Sequence, residues 1–460
     1  MTNAIDSINN LLSYLLIFLL PVTALWFTYK TKGAQFRMIG EMIRELGNSG
    51  SRNSKGEGVS SFQAFTISIA SRVGTGNLAG VATAIVIGGP GAIFWMWVVA
   101  LIGSANAFVE STLAQLFKSR GKDSFIGGPA YYIEKGLGKR WFAAIFSIFL
   151  IFTFGFAFNS VQSNTIASAY KTAFGIDPLY SGIAITLFTL FIIFGGIRRI
   201  AKFSQSVVPV MAVIYLVMAI VVLILNIDRI PEVFSMIISN AFGWEQAVGG
   251  GIGVAIEMGV KRGLFSNEAG MGSAPNVAAT ADVSHPVKQG LIQSLSVYTD
   301  TLVICTCTAF IILCSGLYGS GYDGIELTQM SLNQEVGNWG SYFIAVIILF
   351  FAFTSIIGNY YYGESNILFL TRNKLVLQIF RALVGFMVMF GAIADLNIVW
   401  SFADITMSLM TICNLIAIIL LGRYAIICLN DYQAQRRAGV DPHYHSSTIE
   451  EIADKTECWG

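Results

Sequence analysis

Apolar residues run through this chain in long blocks. They show neither the stripe of a soluble amphipathic helix nor the alternation of a half-buried strand. Blocks of about 20 residues, the length of a bilayer-spanning helix, fall at about 11–30, 91–117, 141–170, 180–197, 203–226, 288–316, 340–370, 375–394 and 398–428. Two further stretches, about 59–88 and 241–278, are as long but rich in glycine and apolar only in pieces. Nine clear segments and two interrupted ones predict eleven crossings.

Composition agrees with that pattern. Hydrophobic residues make up 55% and charged residues 12%, where soluble domains carry about a quarter charged. Only lipid can cover such an apolar excess. The net charge of +1 comes with no basic stripe, so nothing points to nucleic acid. Cysteines 305, 307, 314, 413 and 428 sit in apolar surroundings and read as packing. Cys305-x-Cys307 has no histidine nearby to make a metal set; His443 and His445 belong to a solvated tail. The block at 11–29 lacks a preceding basic region and a small-residue cleavage site, so it reads as a retained helix rather than a leader.

Charge placement orients the spans. One set of loops holds Lys30, Lys32, Arg37, Arg44, Arg52 and Lys55, then Lys118, Arg120, Lys122, Lys135, Lys139 and Arg140. Arg198, Arg199 and Lys202, then Arg372 and Lys374, and finally Arg423, Arg436 and Arg437 continue it. The opposite loops hold little beyond Lys171 and Arg229, and the one near 317–339 carries Asp323, Glu326 and Glu335 without a base. The positive-inside rule then puts the N-terminus outside and the C-terminus in the cytoplasm, provided both interrupted stretches cross. Residues 430–460 read as a cytoplasmic tail, partly disordered.

The first interrupted stretch contains SRVGTGNLAG, residues 71–80. Its glycine spacing is close to a dinucleotide fingerprint, which needs an acidic residue about 20 positions on. None occurs from Val81 to Val109, and no strand precedes the motif. A broken membrane helix is the better reading. Backbone freed inside a bilayer persists only where it lines a cavity or binds a ligand. Half-helix N-termini suit a carboxylate, and exposed carbonyls suit a small cation. The second stretch repeats the plan and carries Lys261, Arg262 and Glu268, each of which must face a partner or a cavity. Asn267-x-Ala269-Gly270 echoes Asn77-x-Ala79-Gly80, five spans later and therefore inverted. Paired interruptions in inverted halves are the sequence mark of a secondary transporter's binding site. Glycine-mediated helix packing explains part of the signal but not the ionisable residues.

Five separated motifs carry a resemblance: SRVGTGNLAGVATAI, GGPGAIFWMWV at 88–98, GGPAYYIEKGLG at 127–138, GLFSNEAGMGSAPNVAATA at 263–281 and IIGNYYYGE at 356–364. Together they resemble the alanine or glycine:cation symporters, the sodium:alanine symporter family, over about residues 60–430. The resemblance implies an all-α integral membrane protein with a LeuT-type inverted 5+5 helix repeat and one extra N-terminal helix. Its parts are then the N-terminal helix and basic loop at 1–58, the two repeats at 59–226 and 227–429, and the tail at 430–460. It implies sodium-coupled uptake of a small neutral amino acid across a bacterial inner membrane, with Na+ and substrate as the partners. By the same resemblance, amides at Thr75, Gly76 and Asn77 take the substrate carboxylate, Gln162 adds a polar contact and Phe265 walls the side chain. The sodium ligands are the carbonyls of Ala70, Val73 and Phe351 and the hydroxyls of Thr354 and Ser355.

One position departs from the family pattern. Asn359 stands where GWYYYGE has tryptophan. A smaller amide leaves room and adds a donor and an acceptor, so a glutamine or asparagine class of substrate stays open beside alanine and glycine. A proton carried by Glu268 in place of sodium is the main alternative coupling. A channel wants rings of charge and an enzyme a nucleophile–base pair or metal cluster. The scattered Glu110, Asp300, Glu364 and Asp404 supply neither and read as helix-to-helix contacts.

Overall fold

The computed structural model describes residues 2–48, 58–121, 124–243 and 251–459. Arg52, Lys55 and Lys122 of the charge argument, and 244–250 of the second glycine-rich stretch, lie outside them. The chain is helical apart from a short antiparallel ribbon, β1 (Ser119–Arg120) against β2 (Phe125–Ile126). An N-terminal helix α1 (Thr2–Lys30) leads through α2 (Ala34–Arg37) and α3 (Ile39–Asn48) to the first interrupted element. That element is α4 (Ser61–Arg72), a break, and α5 (Val81–Gly88). There follow α6 (Gly91–Leu116), α7 (Pro129–Leu137), α8 (Arg140–Leu150), α9 (Phe158–Phe174), α10 (Pro178–Ile193), α11 (Gly196–Leu225) and α12 (Ile230–Ala241). The second interrupted element is α13 (Ile252–Asn267), a break, and α14 (Pro275–Ala278). The remainder is α15 (Pro286–Val297), α16 (Thr306–Ser315), α17 (Gly324–Val336), α18 (Trp339–Leu370), α19 (Lys374–Ile393) and α20 (Leu396–Arg437).

Among the described residues, eight helical stretches are long and apolar enough to cross a membrane, and Gly76–Gly88 and Pro178–Ile193 are shorter apolar ones. The helices form two packed sets. In one, α6 lies against α13 and α15; in the other, α9 lies against α18 and α19, with α10 on α19. Outward faces of α1, α10, α11 and α19 show exposed Phe18, Leu187, Phe191, Val213, Ile224 and Phe386. Such faces need lipid around them.

Local chemistry explains where the interrupted helices start and stop. Ser60 and Gln63 cap α4 reciprocally, each side chain taking the other's backbone N–H. After Arg72, Val73 turns extended (φ −79°, ψ 94°), and the chain re-enters through a π-helical turn at Gly76–Gly80. The second helix ends where Glu268 takes the left-handed conformation (φ 55°), followed by Gly270 and Gly272 at φ 86° and 87°. A left-handed residue other than glycine is uncommon and stores strain. Two apolar blocks expected to be uniform also carry π-helical stretches, Ile151–Ala157 before α9 and Tyr298–Cys305 before α16. Such insertions leave no apolar-pattern signature and concentrate at functional sites.

The tail corrects an expectation. Residues 438–459, read as partly disordered, pack onto the end of α6 and the chain before α15. Tyr444, Ile449, Ile452 and Trp459 are buried. The Trp459 indole donates to the Gln115 carbonyl at 3.1 Å, and the Tyr444 amide to that of Ser284 at 2.9 Å. A polar average hid four well-spaced apolar anchors. Lys118, just beyond α6, lies between the rings of Phe125 and Trp459 at 4.1 and 4.6 Å. Burial there pushes its ammonium down to about 8.

Candidate functional site

The two interrupted elements meet where Gly76 of the first lies against Phe265 and Ser266 of the second. Gly74 and Gly76 are there because nothing larger fits. A Cβ on Gly74 would lie 2.4 Å from Ser355 Oγ and 2.7 Å from Gln162 Oε1. One on Gly76 would lie 3.0 Å from the Phe265 ring and 3.1 Å from the Ser266 backbone. The glycines therefore let the first break touch α9, α13 and α18 at once.

Beside the end of α4, the Ser355 hydroxyl of α18 lies 2.9 Å from the Ala70 carbonyl, 3.3 Å from that of Val73 and 3.0 Å from that of Phe351. Thr354 Oγ1 donates to the same Phe351 carbonyl at 2.9 Å. All five residues are essentially inaccessible to solvent. One hydroxyl proton satisfies one carbonyl at a time, so Ser355 faces more oxygen lone pairs than it can serve. A convergent, proton-poor oxygen set suits a small hard cation. Both hydroxyls also bond back to their own helix, as serine and threonine commonly do; the reach of Ser355 to α4 is what that habit leaves out.

Next to it, Gln162 Oε1 accepts from the Thr75 amide at 2.9 Å, and Asn77 Oδ1 from the Gly74 amide at 2.9 Å. The Phe265 ring lies over Gly76 and stacks between Phe158 and Trp400, with centroids 4.3 and 4.7 Å away. Asn359 stands one step aside. Its Oδ1 and Glu268 Oε1 each lie 2.8 Å from Ser71 Oγ, whose single proton serves one of them. Turning the Asn359 amide over lets its Nδ2 donate to Ser71 while Ser71 donates to Glu268. In either orientation one polar atom of that buried amide is left without a protein partner. The residues expected for cation and substrate thus fall into one contiguous region, with Asn359 and Glu268 at its edge.

The intramembrane carboxylates hold this region together. Asp300 takes Asn77 Nδ2 at 2.7 Å from the first break and Ser266 Oγ at 2.7 Å from α13, with Thr301 Oγ1 at 2.9 Å. Glu110 receives the Gly270 and Gly272 amides at 3.1 and 3.0 Å and Asn414 Nδ2 at 2.7 Å. It thereby satisfies backbone that the second break sets free. Arg262 forms a two-pronged pair with Asp404 at 3.2 and 2.9 Å, and its guanidinium lies 4.1 Å from the Trp400 ring. Glu364 pairs with Arg381 at 3.1 Å. Arg72 is buried, bonded to Gln293 at 3.3 Å and to Ser296, with two nitrogens unpartnered; its charge acts on Glu110, Glu268 and Asp300. Reading along the chain missed Asp300 as a bridge between the breaks, and missed Phe158 and Trp400. The signal for Asp300 was its cost: a lone carboxylate in an apolar block needs donors from elsewhere.

The sequence model described as the sodium:alanine symporter family matches residues 1–446. The chain is 52% identical to the Probable sodium/glutamine symporter GlnT of Bacillus subtilis (strain 168), over 98% of this chain and 94% of the relative. It is also 52% identical to the Amino-acid carrier protein AlsT of the same organism, over 99% and 96%. The Sodium/proton-dependent alanine carrier protein of Bacillus sp. (strain PS3) is 40% identical, over 85% and 92%. Among solved structures, the Eremococcus coleocola manganese transporter shares the fold at TM-score 0.52 and 12% identity, over 86% of this chain and 84% of that one.

Proposed function

This chain belongs to the sodium:alanine symporter family, a multi-pass, cation-coupled amino acid symporter and not an enzyme, and from that premise we propose that it imports a small neutral amino acid with sodium. The observation that carries the sodium assignment is the Ser355 hydroxyl set among the Ala70, Val73 and Phe351 carbonyls. Sodium there, with Thr354 as a further ligand, ties the end of α4 to α18. The substrate carboxylate takes the Thr75–Asn77 amides by displacing the Gln162 oxygen that accepts from Thr75 and the Gly74 carbonyl that accepts from Asn77, and Phe265 walls its side chain. Each ligand favours the same arrangement of the two breaks, so each tightens the other's binding.

For the substrate class, the half-free amide of Asn359 supports glutamine or asparagine, and the relative named a probable sodium/glutamine symporter points the same way. Alanine and glycine are the competing class. A second coupling reading has a specific observation behind it. Glu268 has a serine hydroxyl on each oxygen, Ser71 and Ser273, and no direct cationic partner among the described residues. It is therefore the place where a proton would replace sodium, as the name of the PS3 relative suggests for that protein.

The transport cycle is alternating access in a LeuT-type arrangement of eleven crossings. The repeats are 59–226 and 227–429, the N-terminus lies outside and the C-terminus in the cytoplasm of a bacterial inner membrane. The test is uptake of labelled glutamine into proteoliposomes under an inward sodium gradient, with alanine, glycine and asparagine as competitors. Replacing sodium by choline at fixed pH should abolish accumulation. Accumulation sustained by a pH gradient in choline would overturn sodium in favour of Glu268. Alanine and glycine outcompeting glutamine would overturn the amide reading of Asn359.

A further inference from the structure

The two interrupted elements also touch at the opposite end of α4. Val59 stands immediately before the Ser60 cap of that helix, and Ala281 lies three residues past α14. They form a one-residue parallel bridge: the Val59 amide donates to the Thr280 carbonyl at 3.2 Å, and the Asp282 amide to the Val59 carbonyl at 3.1 Å. Gly58 permits this approach, since a Cβ there would lie 2.8 Å from the Thr280 oxygen. The 12 residues of α4 put the bridge about 18 Å along the helix from the Ala70 and Val73 carbonyls. A motion that parts α4 from the second element at this end breaks the bridge.

The tail grips the second strand of that bridge. The Ala281 carbonyl receives Gln115 Nε2 at 2.9 Å and Lys118 Nζ at 3.1 Å. Trp459 covers both of these residues: its indole N–H donates to the Gln115 carbonyl at 3.1 Å, and its ring lies 4.6 Å from the Lys118 ammonium. Ser284 is held twice, its carbonyl taking the Tyr444 amide at 2.9 Å and its hydroxyl donating to the Pro442 carbonyl at 2.8 Å. The buried His285 ring has Tyr444 edge-on, with centroids 5.6 Å apart, and Lys288 pairs with Asp441 at 2.8 Å. The Ser446 amide donates to the Trp459 carbonyl at 2.9 Å and closes the tail on itself.

A polar terminus stays unordered unless something ties it down. Each of these ties from the tail to the body ends on Gln115, Lys118 or 284–288, the residues that hold or follow Ala281. Two backbone hydrogen bonds are a modest restraint by themselves, and a segment held by few bonds opens locally while the rest stays folded. The tail adds its hydrogen bonds and ring contacts to that restraint. Resting on the transport function proposed above, we propose that residues 438–459 are a latch. Docked, the tail holds the Val59–Ala281 bridge shut at this end of the transporter. Released, it lets Val59 part from Ala281, and the two interrupted elements separate there.

The measurement is amide hydrogen exchange, read by mass spectrometry at segments 58–60 and 280–285. It uses full-length protein in detergent, in sodium chloride or choline chloride at equal ionic strength. Trp459→Ala removes ring and donor; Trp459→Phe keeps a ring beside Lys118 and loses only the donor. Exchange at both segments should speed about fivefold or more in Trp459→Ala, the scale of one lost hydrogen bond, and less in Trp459→Phe. The α9 and α18 segments should keep their native rates. Sodium, which ties α4 to α18, should slow the two bridge segments in native protein. Native rates at both segments in both variants overturn the latch. So does faster exchange spread evenly into α9 and α18, which makes the tail a general brace. Where sodium drives uptake but leaves both segments exchanging as in choline, the bridge takes no part in the cycle and the latch is again overturned. Native protein without sodium-driven uptake defeats the transport reading instead, and the comparison with the variants still decides whether the tail holds the bridge.

Discussion

Replacing Gly74 by alanine tests the central geometry directly. The added methyl would lie 2.4 Å from Ser355 Oγ and 2.7 Å from Gln162 Oε1, both inside the distance at which something must shift. The two atoms it displaces are the hydroxyl set among three carbonyls and the acceptor of the Thr75 amide. The Ser355 hydroxyl is on a short side chain that cannot retreat, and the longer Gln162 can move only by giving up the Thr75 amide. Overpacking of this kind costs about 1–3 kcal/mol. If that cost falls on the liganded arrangement, half-saturating sodium rises by about 5- to 150-fold, since 1.4 kcal/mol is tenfold. Substrate affinity falls with it. Gly80→Ala is the control in the same segment, because its Cβ would meet nothing closer than 3.7 Å, and Gly76→Ala, at 3.0 Å from Phe265, should fall between. The assay is initial uptake rate against sodium concentration in proteoliposomes, with protein folding checked by gel filtration. A Gly74→Ala protein whose half-saturating sodium is within twofold of native would refute the packing argument.

Three other outcomes are expected. Asn359→Trp should shift competition toward alanine and glycine and away from glutamine; an unchanged competition order would separate that residue from the substrate side chain. Arg262→Ala should destabilise the detergent-solubilised protein by about 3–5 kcal/mol, because it strands the buried Asp404, while an apolar Arg262→Met, Asp404→Leu pair should recover much of the loss; equal melting of single and double variants would contradict this. Lys118 releases its proton at about 8 in the folded chain against the usual 10.5. The folded state binds fewer protons between those values, so thermal stability should climb as pH rises from 8 towards 10.5 and fall as pH drops through 8. Lys118→Met should flatten that slope, and a native protein with no slope there would remove the basis for it.

The apolar blocks were legible because a bilayer imposes one length on every span. Both interruptions were legible as well, because glycine runs and buried charge are expensive in lipid and rarely occur without a use. The acceptors at Ala70, Val73 and Phe351 followed from resemblance alone, since a backbone carbonyl looks alike at every residue. Other features had no local sign. The π-helical turns at 151–157 and 298–305 change hydrogen-bond register without changing the apolar pattern. Trp459 docks on Gln115, 344 positions earlier. Asp300 joins Asn77 to Ser266 only once the π-helical stretch at 298–305, α13 and the first break are packed together. A sequence states what each residue can donate, accept or bury. Which donor meets which acceptor is decided by packing across hundreds of residues, where no periodicity records the partner.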